Sequence, residues 1–402
     1  MSLNAREVSI RHYAHVNPLT TEFNNLEDGT VVDFLPLENI WSTEGTDYSR
    51  KKAWKKSETS YTQFRRGDVL VPKVTPTVFH GRSIIANTKT DIGLATSEVH
   101  VLRPKENADA RWIVYNLLSS KFLDRARGEV YGVGGLQRIS AGYLGSYKLM
   151  ETNVRTQRRI ADYLDRETAE IDAAVADLDR YVELLEERRA ALLIKETKIR
   201  DSVPLTNLGR HAQVFLGKTL QSEAKNDFDQ LTSYVRAGNI QPNGVFAGEE
   251  KKMWMSPIEI ETYSIEAGDV LVVEGGAGFG RSLTMERGLP GWGFQNHVIR
   301  IRPSAGWIGK FLDYSIRAHK ADGLIDLIAI GATIPGFSSE RAKKLPVAFL
   351  NQKEQLKIVQ SLDEKNAEID SLIAESTKLR DLLLKRRSVL ITEVVTGRKE
   401  VH

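Results

Sequence analysis

The 402-residue chain contains no cysteine, which excludes disulfide bonds, zinc sites built on thiolates and catalysis by a cysteine nucleophile. It also lacks any apolar run approaching the roughly 18 residues that a membrane span needs. The first residues, MSLNAREVSIRHY, contain no apolar stretch of the kind found in secretory signals. We therefore expect a cytoplasmic protein without a membrane partner.

Net charge is also scarce, because 56 basic residues against 53 acidic residues leave a formal charge of only +3. This excess is too small to indicate a nucleic-acid partner by itself, so the distribution of charge matters more than its total. With 41% hydrophobic and 27% charged residues, the chain can bury cores and is not typical of disordered proteins. Its length fits two domains of about 100 to 200 residues better than one.

Two long segments, residues 157–192 and 355–390, contain neither proline nor glycine and share the sequence AEID followed by Arg-Arg-x-x-Leu. In each segment an apolar residue recurs every seven positions, with Ser376 as the one polar exception, which predicts the seam of a coiled coil. The seam positions are Leu164, Ile171, Leu178, Leu185, Leu192 and Ile199, then Leu362, Ile369, Ser376, Leu383 and Leu390. An adjoining stripe holds Ile160, Ala174 and Tyr181, then Ile358, Leu372 and Leu379.

A lone helix with such a seam would expose it to water and would be unstable. Because the chain supplies two seams of similar length, we predict that the two helices pair with each other. The alternative is that each is an ordinary amphipathic helix packed on its own local domain.

The segments before the two helices repeat as well. KKAW (51–54) recurs as KKMW (251–254), GDVLV (67–71) as GDVLV (268–272), GRS (81–83) as GRS (280–282), and VHVLRP (99–104) as VIRIRP (298–303). Gly-Asp before an apolar β-branched run predicts a turn that enters a buried strand, and Gly-Arg predicts the turn into the next strand.

These patterns predict an α+β fold with a pseudo-two-fold internal repeat, in which two mixed α/β globules alternate with two long helices. The first globule would span residues 1–152 and the second residues 203–350. The first long helix would span residues 153–202, and the second, with a C-terminal tail, residues 351–402.

The order of globule and helix, the GDVLV strand entries, the helix starts QRRIADYLD and QLKIVQSLD, and the ending VTGRKEV resemble the specificity subunit of type I DNA restriction-modification systems. The resemblance covers essentially the whole chain. It implies a non-catalytic subunit with two target-recognition domains, each of which recognises one half of a bipartite site in double-stranded DNA. It also implies that the two long helices pair as an antiparallel coiled coil and hold these domains apart.

The same resemblance implies the partners. Two methyltransferase subunits would dock on the paired helices, and restriction subunits would join through the complex. The chain itself would bind no cofactor and no metal, because S-adenosylmethionine would belong to the methyltransferase subunits, and ATP and Mg to the restriction subunits.

Positions shared by the two globules should build the fold, whereas positions that differ could recognise different DNA sequences. The loops 72–80 and 273–279 differ strongly, so we predict base contacts there. The stretch KKAWKK at 51–56 places four lysines within six residues, and these could neutralise phosphates without selecting a sequence. The alternative is that these lysines protect a strand edge.

Two further pairs of side chains could contact DNA. Arg82 and Arg281 can present a bidentate guanidinium to guanine or phosphate, or can instead cap the structure. The amides of Gln295 and Asn296 suit adenine edges, or could serve framework hydrogen bonds. The complete set of candidate DNA-binding residues is Lys51, Lys52, Lys55, Lys56, Lys73, Thr75, Thr77, His80, Arg82, Lys251, Lys252, Gly276, Gly278, Arg281, Gln295 and Asn296.

Charged outer positions of the long helices are candidates for docking the methyltransferase, or else form a solvated helix surface. These are Arg158, Arg159, Glu186, Glu187, Arg188, Lys385, Arg386 and Arg387.

Motifs for catalysis are missing from the sequence. It contains no phosphate-binding loop, no His-Glu-x-x-His zinc motif and no Asn-Pro-Pro-Tyr-type motif of an amino-methyltransferase. The glycines at 276–280 are spaced G-x-G-x-G, unlike the dinucleotide-binding G-x-G-x-x-G. We therefore predict a non-enzymatic DNA-recognition subunit. The alternatives are a self-contained DNA methyltransferase or nuclease, a coiled-coil scaffold that binds only proteins, and an inactive relative of the family.

Overall fold

The computed structural model describes residues 6–41, 45–58, 60–132, 137–199, 203–329 and 336–401. Its internal contacts divide the chain into two units. The N-terminal unit comprises Met1–Asp179 and Thr377–His402, and the C-terminal unit comprises Arg180–Ser376. Each unit therefore contains one globule and part of both long helices.

Short strands and helices build the N-terminal globule. Its strands are β1 (Glu7–Ser9), β2 (Ala14–Val16), β3 (Val31–Leu35), β4 (Lys51–Ala53), β5 (Thr62–Arg65), β6 (Val69–Pro72), β7 (Ile84–Ile85), β8 (Ile92–Ala95), β9 (Val99–Pro104), β10 (Val130–Tyr131), β11 (Arg138–Ile139) and β12 (Lys148–Met150). Its helices are α1 (Ala110–Leu118), α2 (Ser120–Arg127) and α3 (Ala141–Ser146), and the long helix α4 (Val154–Glu196) follows.

Two four-stranded sheets organise this globule. One is antiparallel, in the order β2-β9-β6-β7, and the other has the order β4-β3-β8-β5, with β3 and β8 parallel. All four residues of β6 are buried. Val69 and Val71 face the core that also contains α4 residues, whereas Leu70 belongs to a second core on the opposite face. The GDVLV sequence is therefore apolar throughout because both faces of its strand are covered.

The C-terminal globule follows the same plan. Its strands are β13 (Leu205–Asn207), β14 (Ala212–Leu216), β15 (Gln230–Val235), β16 (Lys251–Met255), β17 (Val270–Val273), β18 (Ser282–Thr284), β19 (Gly293–Phe294), β20 (Val298–Pro303) and β21 (Pro346–Ala348). Its helices are α5 (Pro257–Thr262), α6 (Gly309–Ala321), α7 (Leu324–Ala329) and α8 (Ser339–Lys343), and the long helix α9 (Gln352–Val395) follows. The sheets have the orders β14-β20-β17-β18 and β16-β15-β19.

A buried glutamine near the start of each long helix, Gln157 or Gln355, makes the same three hydrogen bonds with its globule. Its Oε1 accepts from one backbone N–H, and its Nε2 donates to two backbone carbonyls. The partners are Asp109 N–H and the carbonyls of Asn107 and Thr152 for Gln157, and Ile308 N–H and the carbonyls of Gly306 and Leu350 for Gln355. The three hydrogen bonds of this buried amide therefore fix each long helix to its own globule.

A carboxylate further along each long helix makes a second repeated contact. Asp165 in α4 and Asp363 in α9 each accept hydrogen bonds from a tyrosine hydroxyl and from one basic side chain of the globule. These donors are Tyr115 and Arg111 for Asp165, and Tyr314 and Lys310 for Asp363.

Within the N-terminal unit, the two long helices run in opposite directions. Asp172 of α4 pairs with Arg387 of α9 at 2.8 Å. Further along α4, Asp179 pairs at 3.2 Å with Arg380, which lies earlier in α9. The two helices are also antiparallel within the C-terminal unit. There Arg189 pairs with Asp370, and Glu196, which lies later in α4, pairs with Lys365, which lies earlier in α9.

Burial along the two helices agrees with most of the predicted seam. Leu164, Ile171, Leu185, Leu362, Ile369, Ser376 and Leu390 are all buried. Tyr181 and Leu379, predicted for the adjoining stripe, are instead 42% and 47% exposed. Helix α4 begins at Val154 and ends at Glu196, inside the segment 153–202 predicted for the first long helix. Helix α9 begins at Gln352 and ends at Val395, inside the segment 351–402 predicted for the second helix with its tail. Pairing of the complete helices as a coiled coil and the pseudo-two-fold relation of the halves stay predictions.

No helix within the described ranges is both long enough and apolar enough to cross a membrane.

Candidate nucleic-acid interface

The lysine-rich stretch begins in the edge strand β4, and its first two lysines are engaged within the globule. Lys51 donates to the carboxylate of Asp33, which is completely buried. Burial opposes ionisation of Asp33, but hydrogen bonds from Lys51 and Thr90 outweigh it and hold the pKa of Asp33 below its ordinary value. Lys52 pairs with Glu58 at 3.1 Å. Both lysines therefore support the strand-edge alternative.

Lys55 and Lys56 follow β4 and are exposed. The backbone N–H of Lys56 donates to Asp28 at 2.8 Å, which fixes the turn that carries both side chains. Neither ammonium group makes an ion pair with any described residue, so these two lysines are free to contact phosphates.

A cleft of about 490 Å³ in the N-terminal globule brings together two of the predicted regions, because Lys56 and Lys73 both line it. Leu19, which is 85% exposed, lines the same cleft. Trp54 contributes a buried indole N–H that has no hydrogen-bond partner in the described part of the chain. The cleft thus combines cations and an exposed apolar side chain, which are groups that contact phosphates and bases in DNA.

Asn17 and His100 form one side of this cleft and are hydrogen-bonded to each other. Asn17 Nδ2 lies 3.1 Å from His100 Nδ1, and His100 Nε2 lies 3.0 Å from the carbonyl of Ile139. Burial lowers the pKa of His100, so its ring is neutral and donates from Nε2 while Nδ1 accepts. This pair supports the cleft wall, and both ring nitrogens of His100 are engaged within the globule.

The loop 72–80 is held closely against the globule. Thr75 donates its backbone N–H to the carbonyl of Gln137 at 2.8 Å, and Thr77 opens a 3₁₀ turn that ends at His80. His80 is exposed, whereas Thr75 and Thr77 are half-buried. The loop therefore presents few free side chains, with Lys73 at its start and His80 at its end.

Arg82 does not lie on an accessible surface. Its side chain is buried, its Nε donates to the carbonyl of Ile40 at 2.6 Å, and its guanidinium lies 3.5 Å from the ring centroid of Trp41. The prediction of a DNA contact at Arg82 therefore gives way to the structural alternative. Arg281, at the equivalent turn, is exposed and stays a candidate.

In the C-terminal globule the candidate residues are spread over three places. Lys251 and Lys252 are exposed on the edge strand β16. Gly276 and Gly278 lie in the loop after β17, where Gly276 has a left-handed backbone with φ of +80°. A Cβ at Gly276 would meet open space, so strain and not crowding restricts this position. The third place is the turn before β20.

Gln295 and Asn296 form that turn. Their backbone N–H groups donate to the carbonyls of Val235 and Lys218 at 2.9 Å. Both side chains are half-buried, and neither amide makes a side-chain hydrogen bond within the described residues. The backbone thus serves the framework while the amide groups stay available.

The predicted docking residues Arg158, Arg159, Glu186, Glu187, Arg188, Lys385 and Arg386 are all exposed. Arg387 differs, because its side chain is only 14% exposed and pairs with Asp172 in the neighbouring long helix. Arg387 is therefore corrected to a contact between helices. Arg158 and Arg159 line a cleft at the start of α4 together with Arg155 and Arg166.

Sequence reasoning missed several residues that line the N-terminal cleft. Leu19, Tyr61 and Gln63 come from segments that do not repeat between the two halves. No local pattern marks them, since they meet only after the two sheets pack. The shared residues Gln157 and Asp165 did carry a signal, because both recur at matching places in QRRIADYLD and QLKIVQSLD.

Replacing Lys55 and Lys56 together with alanine is expected to weaken binding to every DNA sequence. The slope of log K against log salt concentration should fall by about 1.8, since each lost phosphate contact removes about 0.9. Titrations of duplex DNA at several salt concentrations measure this slope. Lys51→Ala serves as the contrast, because it should lower stability by leaving Asp33 buried and unpaired. An unchanged slope in the double variant would contradict phosphate contact at these lysines.

No family model matches the chain. Two curated relatives match parts of it. The Type I restriction enzyme EcoAI specificity subunit of Escherichia coli is 25% identical over 155 residues, which are 38% of this chain and 26% of that protein. The EcoEI specificity subunit of the same organism is 24% identical over 145 residues, 35% of this chain and 24% of that protein. The match thus spans about a quarter of each curated relative.

Solved structures match nearly the whole chain. One, described as "Structural basis underlying complex assembly and conformational transition of the type I R-M system", is 13% identical with a TM-score of 0.72 and covers 98% of both chains. The HsdS subunit from Thermoanaerobacter tengcongensis is 12% identical with a TM-score of 0.55 and covers 98% of this chain and 97% of that one. These matches show a shared fold. Together with the curated relatives, they confirm the resemblance to type I specificity subunits.

Proposed function

We propose that this chain is the DNA-recognition subunit of a type I restriction-modification complex. Each globule recognises one half of a bipartite DNA target, and the long helices dock two methyltransferase subunits, through which restriction subunits join. The chain itself carries out no catalysis and holds no cofactor. S-adenosylmethionine belongs to the methyltransferase subunits, and ATP and Mg belong to the restriction subunits.

The observation that carries this proposal is the fold match over 98% of the chain with a TM-score of 0.72. The sequence similarity to two specificity subunits supports it over 38% and 35% of the chain. The fold gives a physical reason as well, because each globule is bonded to its own long helix through the same set of contacts. Two separate recognition domains in one chain suit a DNA target in two parts.

Docking of a partner on the long helices is supported by their exposed side chains. Leu382, Leu384 and Val389 of α9 are between 41% and 54% exposed and lie beside Lys385 and Arg386. Apolar side chains bordered by charge are typical of protein interfaces. We propose that the methyltransferase covers this part of α9.

Co-expression of the chain with a type I methyltransferase subunit from its source organism tests the proposal. The complex should co-purify and should methylate one bipartite motif in genomic DNA, as mapped by sequencing of modified bases. The methyltransferase without this chain is the control and should leave that motif unmodified. Co-purification without sequence-specific methylation would favour the scaffold alternative, and methyl transfer by this chain alone would show an enzyme.

A further inference from the structure

The two globules carry opposite charges at one position of their shared framework. Lys73 is the first residue after β6, and Glu274 is the first residue after β17. The two strands occupy equivalent places in their sheets and begin with the same sequence. The two globules therefore differ in charge, with Lys73 in one and Glu274 in the other, directly after a strand that they share.

Backbone hydrogen bonds hold Lys73 from both sides. Its N–H donates to the carbonyl of Glu98 at 2.9 Å, and its carbonyl accepts from the N–H of Ile139 at 2.9 Å. Neighbouring segments thus fix the backbone of Lys73 before any ligand arrives, which limits the entropy lost when its side chain makes a contact.

The same two bonds recur at Glu274. Its N–H donates to the carbonyl of His297 at 3.0 Å, and its carbonyl accepts from the N–H of Phe337 at 2.7 Å. Lys73 and Glu274 are therefore equivalent in the bonds that place them and differ in the side chain that they present.

Both charged groups are available to a ligand. Lys73 lines the N-terminal cleft, and its ammonium group has no ion pair within the described residues. The adjacent carboxylate of Glu98 is bonded by Arg138 at 2.8 Å, and this bond, together with the nearby charge of Lys73, lowers the pKa of Glu98. Glu274 is 28% exposed, and its nearest ionisable partner is His297, with Nδ1 at 3.9 Å.

Ammonium and carboxylate groups favour bases with opposite hydrogen-bonding groups in the major groove. An ammonium group only donates hydrogen bonds and suits the O6 and N7 acceptors of guanine, whereas a carboxylate only accepts and suits the N4 amine of cytosine. A carboxylate also repels phosphates, so its place beside DNA is favourable only when a base donor satisfies it.

We propose that Lys73 and Glu274 are specificity-determining residues, with Lys73 contacting guanine in one half-site and Glu274 contacting cytosine in the other. This assignment rests on the proposed function, since it assumes that both globules contact DNA. It singles out Glu274 within the loop 273–279 and gives the two globules opposite preferences at one equivalent position.

Selection from a DNA pool with randomised half-sites, by the full-length chain in complex with the methyltransferase, tests the assignment. Lys73→Gln should lower the preference for guanine at one position of one half-site by about tenfold and shift it toward adenine, which glutamine recognises. Glu274→Gln should lower the preference for cytosine at one position of the other half-site by a similar factor. The remaining positions should keep their wild-type preferences.

Lys89→Gln and Glu286→Gln are matched controls, because each makes the same change at an exposed residue of the same globule, and both should select the wild-type motif. Thermal unfolding of each variant verifies its fold. Folded variants that select the wild-type motif would overturn this assignment but not the proposed function. So would a Lys73→Gln variant that binds all sequences more weakly with a lower salt slope, because that result would make Lys73 a phosphate contact. A wild-type complex that selects no sequence would overturn the proposed function as well.

Discussion

Replacing Asp68 with alanine is expected to destabilise the N-terminal globule by about 3 to 5 kcal/mol, the usual cost of breaking a buried ion pair. Asp68 accepts two hydrogen bonds from Arg103, from Nε at 2.9 Å and from Nη2 at 2.8 Å, and a third from the backbone N–H of Arg65. The side chains of Asp68 and Arg103 are only 3% and 14% exposed, so water cannot replace the lost carboxylate. Urea denaturation followed by tryptophan fluorescence measures the loss.

Asp91→Ala is the matched control, because it removes the same group from an ion pair with Arg66 in the same globule, where Asp91 is 95% exposed. Surface pairs of this kind contribute little, so stability should hardly change. Equal effects of the two substitutions would show that the buried pair does not hold the globule together.

The Asp68–Arg103 pair also connects the framework to the candidate interface. Arg103 Nη1 donates to the carbonyl of Leu19 at 3.0 Å, and Nη2 donates to the Thr20 hydroxyl at 3.1 Å. Both residues line the N-terminal cleft. A loss of Asp68 would therefore loosen the cleft wall before the whole globule unfolds. In the C-terminal globule, Arg302 pairs with Asp269 at 2.7 Å in the same manner.

Much of the framework was predictable because its signals are local. The strands β6 and β17 begin at Val69 and Val270, directly after the two Gly-Asp turns. Gly67 and Gly268 have φ of +87° and +86°, the left-handed backbone that favours glycine at such turns. The heptad spacing likewise placed the two long helices, since its period depends only on the helix itself.

The partners of the shared polar residues were not predictable, because they are distant in sequence. Asp68 belongs to a turn signal, yet its main role is to bind Arg103 from another strand. Arg82 suits a DNA contact by residue type, but the loop that carries Ile40 and Trp41 encloses it. Side-chain chemistry alone cannot distinguish an exposed arginine from one that packing has buried.

The candidate site was predictable only in part for the same reason. Lys56 and Lys73 were named from charge and from the difference between the repeats, and the cleft brings them together. Glu274 lies in the loop 273–279, for which base contacts were predicted, but the sequence did not single it out. Its position gains meaning only when its backbone hydrogen bonds are compared with those of Lys73.

Exchanging one globule for the other should change half of the recognised DNA sequence and leave the remaining half intact. Residues 6–152 placed where residues 204–350 stand should give a chain whose two half-sites are the same, both with the sequence recognised by the N-terminal globule. Sequencing of methylated genomic motifs, with the methyltransferase subunit co-expressed, measures the result.

The graft should fold because the N-terminal globule already contains the groups that bond to Gln355 and Asp363 of α9. Gln355 of α9 binds backbone groups, which any sequence supplies, and Asp363 needs a tyrosine and a basic residue. Tyr115 and Arg111 of the N-terminal globule provide these groups, as they already do for Asp165. The reverse graft, residues 204–350 in place of 6–152, is the matched control and should duplicate the other half-site. A folded hybrid in which both half-sites differ from the wild-type motif would show that the globules do not recognise DNA independently.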